Sequence, residues 1–338
     1  MSTTILAIES SCDETSASVC VDGKILSNFI ANQTVHEKYG GVVPELASRA
    51  HMQNIVPVVD TAINEASSIH HSPLTIHDID AIAFTQAPGL IGSLLVGTQF
   101  AKSLALALNK PLIAVHHMQA HVLANLIDEN NRPDFPFLCL TVSGGHTQIV
   151  LAKSALELEV IGQTIDDAAG EAFDKSAKLL GLPYPGGPLI DKYAKLGNPL
   201  AFKFAEPQIP ELNFSFSGLK TSILYFLQKQ SPDFVENNLN DICASIQHTI
   251  ITILLKKVKK AVQQTGVKQI CIAGGVSANS GLRTALQEMG KKQGWKTYIP
   301  KFEYCTDNAA MIAITAYYKY QANEFCELNV NPSARAEW

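Results

Sequence analysis

The chain has 338 residues, more than one hydrophobic core usually serves, so its length predicts two lobes. Apolar residues make up 46% of the sequence and charged residues 17%, which excludes extensive disorder because such a chain can bury a large interior. The net charge of −5 does not indicate nucleic-acid binding by the fold as a whole, so any contact with RNA must be local or supplied by a partner.

The sequence predicts a cytoplasmic protein with reduced thiols and no membrane association. The N-terminus lacks the basic start and the cleavage site of a signal peptide. The most apolar stretch, residues 90–108, contains Gln99 and Lys102 and is interpreted as a core helix rather than a membrane span. The seven cysteines form no CxxC pair, which is typical of cytosolic thiols.

Two units of strand, polar turn and strand predict a duplicated fold. The first unit covers residues 5–21 and is followed by Asp22-Gly23, a dipeptide that favours a hairpin. The second has an apolar strand at 137–142, the turn Ser143-Gly144-Gly145-His146 and another strand at 147–151. Because the two units lie about 130 residues apart, one unit is expected to open each lobe.

A third unit places a strand at 268–273 before the turn Gly274-Gly275 and a helix capped by Asn279 or Ser280. Strands that alternate with helices predict an α/β fold. Helical patterns occupy residues 45–65, 92–109, 119–126, 168–180, 240–265 and 308–322. The last helix is apolar enough to be buried against the first lobe. The predicted lobes are residues 1–130, completed by residues 308–338, and residues 131–307.

The glycine and serine turns at strand ends can present backbone N–H groups to phosphates. A single turn of this kind is explained by a strand-to-helix connection that needs positive φ. Three in this order are typical of a two-lobed actin-like ATPase, in which two hairpin turns hold phosphates and a GG turn holds adenosine. The sequence therefore predicts this fold, with a nucleotide cleft between the lobes.

His117 and His121 are four residues apart, so a helix would place both imidazoles on one face, as a transition-metal site requires. The alternative is a surface histidine pair. A zinc peptidase with this spacing has a glutamate after the first histidine as general base, and Met118 in that position argues against a protease. Asp307 is the candidate third ligand, although it could instead cap the last helix.

An acidic stretch at residues 166–174 begins a predicted helix. The helix dipole accounts for Asp166 and Asp167, whereas Asp174 lies about two turns in and is predicted to face a ligand. The turn that contains Gly186 and Gly187 follows, with Asp191 just beyond it. Carboxylates here are predicted to hydrogen-bond ribose hydroxyls or the amino group of a threonyl moiety.

Eight motifs, in order from Ile5 to about Ala316, resemble those of the bacterial tRNA N6-adenosine threonylcarbamoyltransferase (TsaD) family. Each is weak alone, but the series is very specific. The motifs are Ser11-Cys-Asp-Glu-Thr, His117-x-x-x-His121, Val142-Ser-Gly-Gly-His-Thr-Gln, Asp166-Asp-Ala-Ala-Gly-Glu-Ala-Phe-Asp-Lys, Tyr184-Pro-Gly-Gly-Pro, Phe216-Ser-Gly-Leu-Lys-Thr, Gly274-Gly-Val-Ser-Ala-Asn and Cys305-Thr-Asp-Asn.

The resemblance implies an actin-like fold related to sugar kinases and heat-shock chaperones. It implies transfer of threonylcarbamoyl from threonylcarbamoyl-AMP to the N6 amine of the adenosine 3′ to the anticodon, in tRNAs that read codons beginning with A. The implied metal ligands are His117, His121 and Asp307, with Fe²⁺ the usual ion and zinc an alternative in purified protein. An adenine nucleotide such as ATP is expected in the cleft.

The family pattern also implies pocket residues and partners. The residues implied to line the substrate or nucleotide pocket are Thr141, Val142, Ser143, Gly144, Gly145, Asp174, Gly187, Asp191 and Asn279. The implied partners are tRNA, the non-catalytic paralogue TsaB and the small ATPase TsaE, and a separate synthase makes the adenylate. The tail at residues 333–338 departs from the arginine- and proline-rich ending of relatives.

The adenosine amine is a poor nucleophile, so the mechanism is expected to depend on positioning and on stabilising charge at the carbonyl and phosphate oxygens. A metal could serve as the Lewis acid, and Asp13 or Glu14 could accept the amine proton. Two rivals share the fold: a small-molecule kinase, which needs a carboxylate base and Mg²⁺, and a non-catalytic ATP-binding scaffold.

Overall fold

The computed structural model describes residues 2–31, 39, 41–70 and 73–336, so the last two residues of the tail motif lie outside the described residues. Two compact units divide the chain. Unit 1 contains residues 1–132, 154–158 and 300–338, and unit 2 contains residues 133–153 and 159–299. Residues 300–307, which the sequence placed in the second lobe, belong to unit 1 because the last strand of unit 2 ends at Tyr298.

Strands and helices alternate as the sequence predicts. The strands are β1 (Thr4–Glu9), β2 (Thr15–Val21), β3 (Lys24–Ala31), β4 (Ala81–Ala87), β5 (Leu112–His116), β6 (Phe137–Val142), β7 (Thr147–Ala152), β8 (Leu158–Gln163), β9 (Gln269–Ala273) and β10 (Lys296–Tyr298). The α-helices are α1 (Pro44–Ile69), α2 (Ile91–Leu108), α3 (His117–Leu123), α4 (Ala169–Leu179), α5 (Gly186–Ala194), α6 (Ser217–Leu227), α7 (Phe234–Thr265), α8 (Ser280–Gln293) and α9 (Ala309–Gln321).

Each unit is built on a five-stranded mixed sheet. In unit 1 the order is β3-β2-β1-β4-β5, with β1–β2 and β2–β3 antiparallel and β1–β4 and β4–β5 parallel. In unit 2 the order is β10-β9-β6-β7-β8, with β6–β7 antiparallel and β6–β9 and β9–β10 parallel. Read from the hairpin side, the two sheets have the same strand order. The predicted duplication is confirmed.

Helices cover both faces of the unit 1 sheet, which explains why residues 5–8 of β1 are all apolar rather than alternating. Leu6 and Ile8 pack in a cluster with side chains of α1 and α2. Their neighbours Ile5 and Ala7 point to the opposite face and pack in a cluster with side chains of α9. The last helix is therefore a core element of unit 1, as its apolar sequence predicts.

Helix α2 is 18 residues long and, within the described residues, is apolar enough by length and composition to cross a membrane. A third of its residues are buried in unit 1, and Leu94 and Ala101 are among them. Its contacts with β4 and α1 are those of a core helix.

Parallel strands bring their carboxyl ends to one edge of each sheet. In unit 1 these ends are Glu9 of β1, Ala87 of β4 and His116 of β5. In unit 2, Thr141 of β6 lies beside Ala273 of β9, so the turns that follow them start next to each other. Ligands of open α/β sheets bind at such edges, which makes these two the places to look for a site.

Gly274 follows β9 with φ of +83°, and a Cβ built there would lie 2.5 Å from the carbonyl oxygen of Val142. We expect Gly274→Ala to destabilise the protein by roughly 2–4 kcal/mol, because the left-handed conformation and the backbone clash both oppose a side chain. Urea unfolding measures the change. Gly275→Ala is the matched control, since a Cβ there meets nothing within 4 Å. Equal shifts in the two variants would contradict the close-approach explanation.

Candidate metal centre

Two histidines and one aspartate converge at the carboxyl edge of the unit 1 sheet. His117 and His121 lie one helical turn apart on α3, which begins where β5 ends, and their rings are perpendicular with centroids 4.7 Å apart. Asp307 directly precedes the N-cap of α9. One ligand atom from each of the three residues lies within 4.8 Å of the others. His121 and Asp307 are 186 positions apart in the sequence, and their side chains lie within hydrogen-bond distance.

The distances within this cluster suit a metal ion. The Asp307 Oδ1 atom is 3.3 Å from His117 Nε2 and 3.0 Å from His121 Nε2. Two ligand atoms that bind one ion at about 2.1 Å, with an angle of roughly 90–110° between the bonds, lie about 3.0–3.4 Å apart. Two imidazoles and a carboxylate are ligands for a divalent metal, and three protein ligands leave positions open for substrate.

Capping of α9 does not account for Asp307. The N-cap is Asn308, whose side-chain oxygen accepts from the backbone N–H of Met311. The first two N–H groups of the helix, those of residues 309 and 310, donate to the side chains of Ser16 and Asn28. The alternative that Asp307 caps the helix is therefore wrong.

Opposite charges dominate the electrostatics of the cluster. Burial by itself would lower the pKa of His117, but the negative charges of Asp307 and Glu9 outweigh burial and raise this pKa well above its usual value. Burial would raise the pKa of Asp307, and the charge of His117 and hydrogen bonds from both histidines lower it instead. Without a metal, His117 holds a proton that a metal ion must displace.

Glu9, which the sequence did not indicate as a site residue, contacts the Nδ1 side of the His117 ring. Its carboxylate is fully buried, and Oε2 lies 3.1 Å from His117 Nδ1. Burial would raise the pKa of Glu9, but the charge of His117 and a hydrogen bond from it lower this pKa overall. The signal was a single charged residue in the otherwise apolar run of β1, since an unpaired charge is costly to bury.

The turn after β1 carries the two candidate proton acceptors. Burial, then the charges of Asp307 and Asp13, raise the pKa of Glu14 to about 9, so without a metal Glu14 is protonated near neutral pH. Burial also raises the pKa of Cys12, which stays a thiol and is a poor nucleophile.

His51 holds this turn in place, and the sequence did not indicate this role. His51 is fully buried on α1, with Nδ1 2.7 Å from Thr15 Oγ1 and Nε2 3.0 Å from the carbonyl oxygen of Cys12. From the other side, the carbonyl oxygen of Ser11 accepts from the N–H of Leu90. The turn that bears Asp13 and Glu14 is therefore fixed at both ends.

In unit 2, the predicted pocket residues of the 141–145 segment fall into two groups. Thr141 and Val142 are fully buried in β6. Ser143 closes the turn: its N–H donates to the carbonyl of His146, and its hydroxyl accepts from the His146 N–H. A Cβ at Gly144 or at Gly145 would meet nothing within 4 Å, so the backbone of this turn is open to a ligand.

Other predicted pocket residues hold the backbone of unit 2. The Asp174 Oδ1 atom accepts from the N–H groups of Gly186 and Gly187 at the start of α5. Asp191 accepts from the hydroxyl of Ser280. The side-chain oxygen of Asn279 accepts from the N–H of residue 282 and caps α8, which decides between the two caps that the sequence offered.

The acidic stretch before α4 has specific partners. Asp166 accepts from the hydroxyls of Ser215 and Ser217 and from two backbone N–H groups at the start of α6. Asp167 and Glu171 both pair with Lys175. The helix-dipole explanation of Asp166 is wrong in detail, because the helix that it stabilises is α6 rather than its own.

Together, the duplicated sheets and the His-His-Asp cluster define an α/β protein of the actin-like class with a site for a divalent metal. The model of the family "tRNA N6-adenosine threonylcarbamoyltransferase" matches residues 24–314. The enzyme of that name from Christiangramia forsetii is 62% identical over 98% of this chain and 97% of its own. That from Cytophaga hutchinsonii is 57% identical, over 99% and 96%. The chain belongs to this family of tRNA-modifying transferases.

A distant solved structure agrees on the fold. HypF from T. kodakarensis superposes on 95% of this chain with a TM-score of 0.68, at 14% sequence identity. The match covers 48% of the HypF chain. At this identity the likeness concerns the fold alone.

The thermal stability of the metal-free protein should fall as the pH rises, from about 4.5 through Glu14 and more steeply above about 6.5, where His117 also contributes. His117 and Glu14 both have raised pKa values in the folded protein. Each group therefore keeps a proton that the unfolded chain releases. The free energy of unfolding falls as the pH rises from the unfolded pKa of the group to its folded pKa. Differential scanning calorimetry after chelation measures the slope, and His117→Gln should make it shallower. A midpoint that is constant or rises with pH would contradict the assignment.

Proposed function

We propose that this chain transfers the threonylcarbamoyl group of threonylcarbamoyl-AMP to the N6 amine of the adenosine 3′ to the anticodon, in tRNAs that read codons beginning with A. The observation that carries the proposal is the convergence of His117, His121 and Asp307, in a chain that belongs to a family of this transferase name. A divalent metal held by these three side chains would supply Lewis acidity to a substrate oxygen.

Fe²⁺ is the ion that we propose, with zinc as the alternative in purified protein. Both accept imidazole nitrogen and carboxylate oxygen, so the ligand set does not separate them. Two histidines and one carboxylate with open positions form the arrangement found in non-haem Fe²⁺ sites as well as in catalytic zinc sites.

The proton of the attacking amine is assigned to the turn after β1. Asp13 and Glu14 share a hydrogen bond, and burial followed by nearby negative charge raises the pKa of Glu14 to about 9, so Glu14 keeps a proton at neutral pH. We therefore assign Asp13 as the acceptor, with Glu14 as the partner that holds a shared proton. Metal binding would add positive charge nearby and lower the pKa of Glu14.

The nucleotide part of the substrate, and ATP, are proposed to bind unit 2 at the carboxyl edge of its sheet. The N–H groups of Gly144 and Gly145 are the proposed donors to phosphate, and the Gly274 turn starts beside this turn. Asp174 would hold the backbone of Gly187 in position, and Asp191 the side chain of Ser280. Thr141, Val142 and Asn279 would shape the floor of this pocket.

The paralogue TsaB is proposed to bind unit 1 on the outer faces of α1 and α2. Met52 is 69% exposed and Val56 61%, one turn apart on α1. Leu95 of α2 is 42% exposed and lines a groove together with Met52 and Phe100. A contiguous exposed apolar face of this kind marks a protein interaction site.

The small ATPase TsaE completes the proposed set of protein partners. A chain with a net charge of −5 needs positive surface from elsewhere to hold a tRNA, and partner subunits would provide it. The proposed location of the complex is the cytoplasm, where the tRNA substrate is found.

His117→Ala is expected to abolish both metal retention and tRNA modification, because it removes one of three ligands. The metal content of the purified protein is measured by plasma mass spectrometry. Modification is measured by mass spectrometry of nucleosides from tRNA incubated with the protein, its partners and threonylcarbamoyl-AMP. His116→Ala is the control, since His116 lies outside the cluster.

The same assay separates the rival functions. Modification at the wild-type rate by metal-free His117→Ala protein would refute the role of the metal. An Asp307→Ala protein that still supports modification with its partners would favour the non-catalytic scaffold. Phosphate transfer to small-molecule acceptors, with Mg²⁺ and no other metal, would favour the kinase.

Met52→Asp should weaken binding of the paralogue by at least roughly tenfold, because it puts a charge in the centre of the apolar face. Isothermal titration calorimetry with the purified paralogue measures the affinity. Asn64→Asp adds the same charge at an exposed position of α1 outside the groove and should leave binding unchanged. If both variants bind as the wild type does, the paralogue docks elsewhere.

A further inference from the structure

Glu9 is a buried acid that the proposed reaction does not use. It ends β1, has no exposed surface, and its Oε1 accepts from the backbone N–H of Ser11. Its Oε2 accepts from the hydroxyl of Thr85 at 2.6 Å and lies 3.1 Å from His117 Nδ1. Burying a carboxylate this completely is costly unless donors surround it, and here two donors already face its oxygens.

The ionised carboxylate leaves one arrangement for the imidazole of His117. A carboxylate only accepts hydrogen bonds, so His117 Nδ1 must carry the hydrogen between the two groups. In the neutral ring the lone pair then lies on Nε2. The Nε2 atom is the one that faces Asp307, at 3.3 Å.

We infer that Glu9 is a positioning residue, which fixes His117 in the Nδ1–H tautomer and points its Nε2 lone pair into the metal site. Metal-binding histidines are commonly oriented in this way by a carboxylate on the second ring nitrogen. The inference deepens the proposed function and depends on the metal site assigned there.

The second histidine of the cluster has no such support. His121 Nδ1 is buried and, within the part of the chain that the structure describes, has no hydrogen-bond partner. Its Nε2 faces Asp307 at 3.0 Å. We therefore expect a hydrogen-bond partner on Nδ1 to influence metal affinity at His117 and not at His121.

Two other roles for Glu9 fit the geometry less well. It is not a fourth ligand, because it contacts the ring nitrogen on the side away from Asp307 and lies outside the ligand cluster. Ser11 Oγ is a second contact of Nδ1, at 3.2 Å. A hydroxyl can donate or accept, so Ser11 suits either tautomer and cannot select one.

Glu9→Gln should weaken Co²⁺ binding by about 10–100-fold, the range found when outer-shell partners of metal-binding histidines are removed. If the amide keeps its oxygen toward Ser11, its NH₂ donates to His117 Nδ1 and moves the ring hydrogen to Nε2, where it blocks the metal. If the amide turns over, its NH₂ opposes the N–H of Ser11. Co²⁺ is the probe because its visible absorption reports both affinity and coordination.

Two variants serve as controls in the same titration. Ser11→Ala removes the neutral contact of Nδ1 and should cost less than tenfold in Co²⁺ affinity. Asp166→Asn replaces another multiply hydrogen-bonded carboxylate, in unit 2, and should leave Co²⁺ affinity unchanged even if it lowers the unfolding temperature. Near-ultraviolet circular dichroism checks that each variant is folded.

The outcomes separate the inference from the proposed function. A wild-type protein that does not bind Co²⁺ at this cluster refutes the metal site itself. A folded Glu9→Gln protein with wild-type affinity, or a Ser11→Ala protein that loses as much, overturns the role of Glu9. If Glu9→Gln does not fold, ¹⁵N NMR of His117 in the Zn²⁺-loaded wild type decides: hydrogen on Nδ1 supports the inference, and hydrogen on Nε2 overturns it.

Discussion

The charges buried at the carboxyl edge of the unit 1 sheet are the constraint on which the rest of the site depends. Glu9, His117 and Asp307 form a line of negative, positive and negative groups, in which Glu9 and His117 are buried and the side chain of Asp307 is 24% exposed. Each charge is tolerated only because the next one compensates it, since an unpaired ion in such surroundings would cost several kcal/mol. A divalent ion can take the place of the proton on His117 and keep the same alternation of charge.

The topology explains why these residues meet. Parallel pairing of β1, β4 and β5 brings Glu9, Thr85 and the start of α3 to one edge, whatever their separation in sequence. The last helix then packs on the same sheet and delivers Asp307, while Asn308 takes over the capping. A site built from strand ends and helix starts is rigid, and rigidity is what a reaction with a poor nucleophile needs.

Unit 2 has the same sheet topology, but different groups lie at the carboxyl edge of its sheet. Its Gly144-Gly145 turn exposes backbone instead of imidazoles, and two of its acidic side chains, Asp166 and Asp174, accept hydrogen bonds from backbone N–H groups. Asp174 binds the N–H groups that start α5, and Asp166 binds those that start α6. The duplicated sheet thus provides two equivalent edges, one with the His-His-Asp cluster and the other with a turn whose glycine backbone is exposed.

The sequence by itself determined most of the helices, the strands that flank the glycine and serine turns, the duplicated α/β fold, the His117–His121 pair and the family, but it did not predict α5, α6, β4, β5 or β8. These follow from local periodicity, turn chemistry and motif order, which are written in consecutive residues. Only the tertiary structure decided that Asn308 rather than Asp307 caps α9, that Asp166 serves α6, and that Glu9 and His51 support the site. These contacts join residues 36 to 108 positions apart or choose between adjacent polar side chains, and packing alone settles which polar group meets which partner.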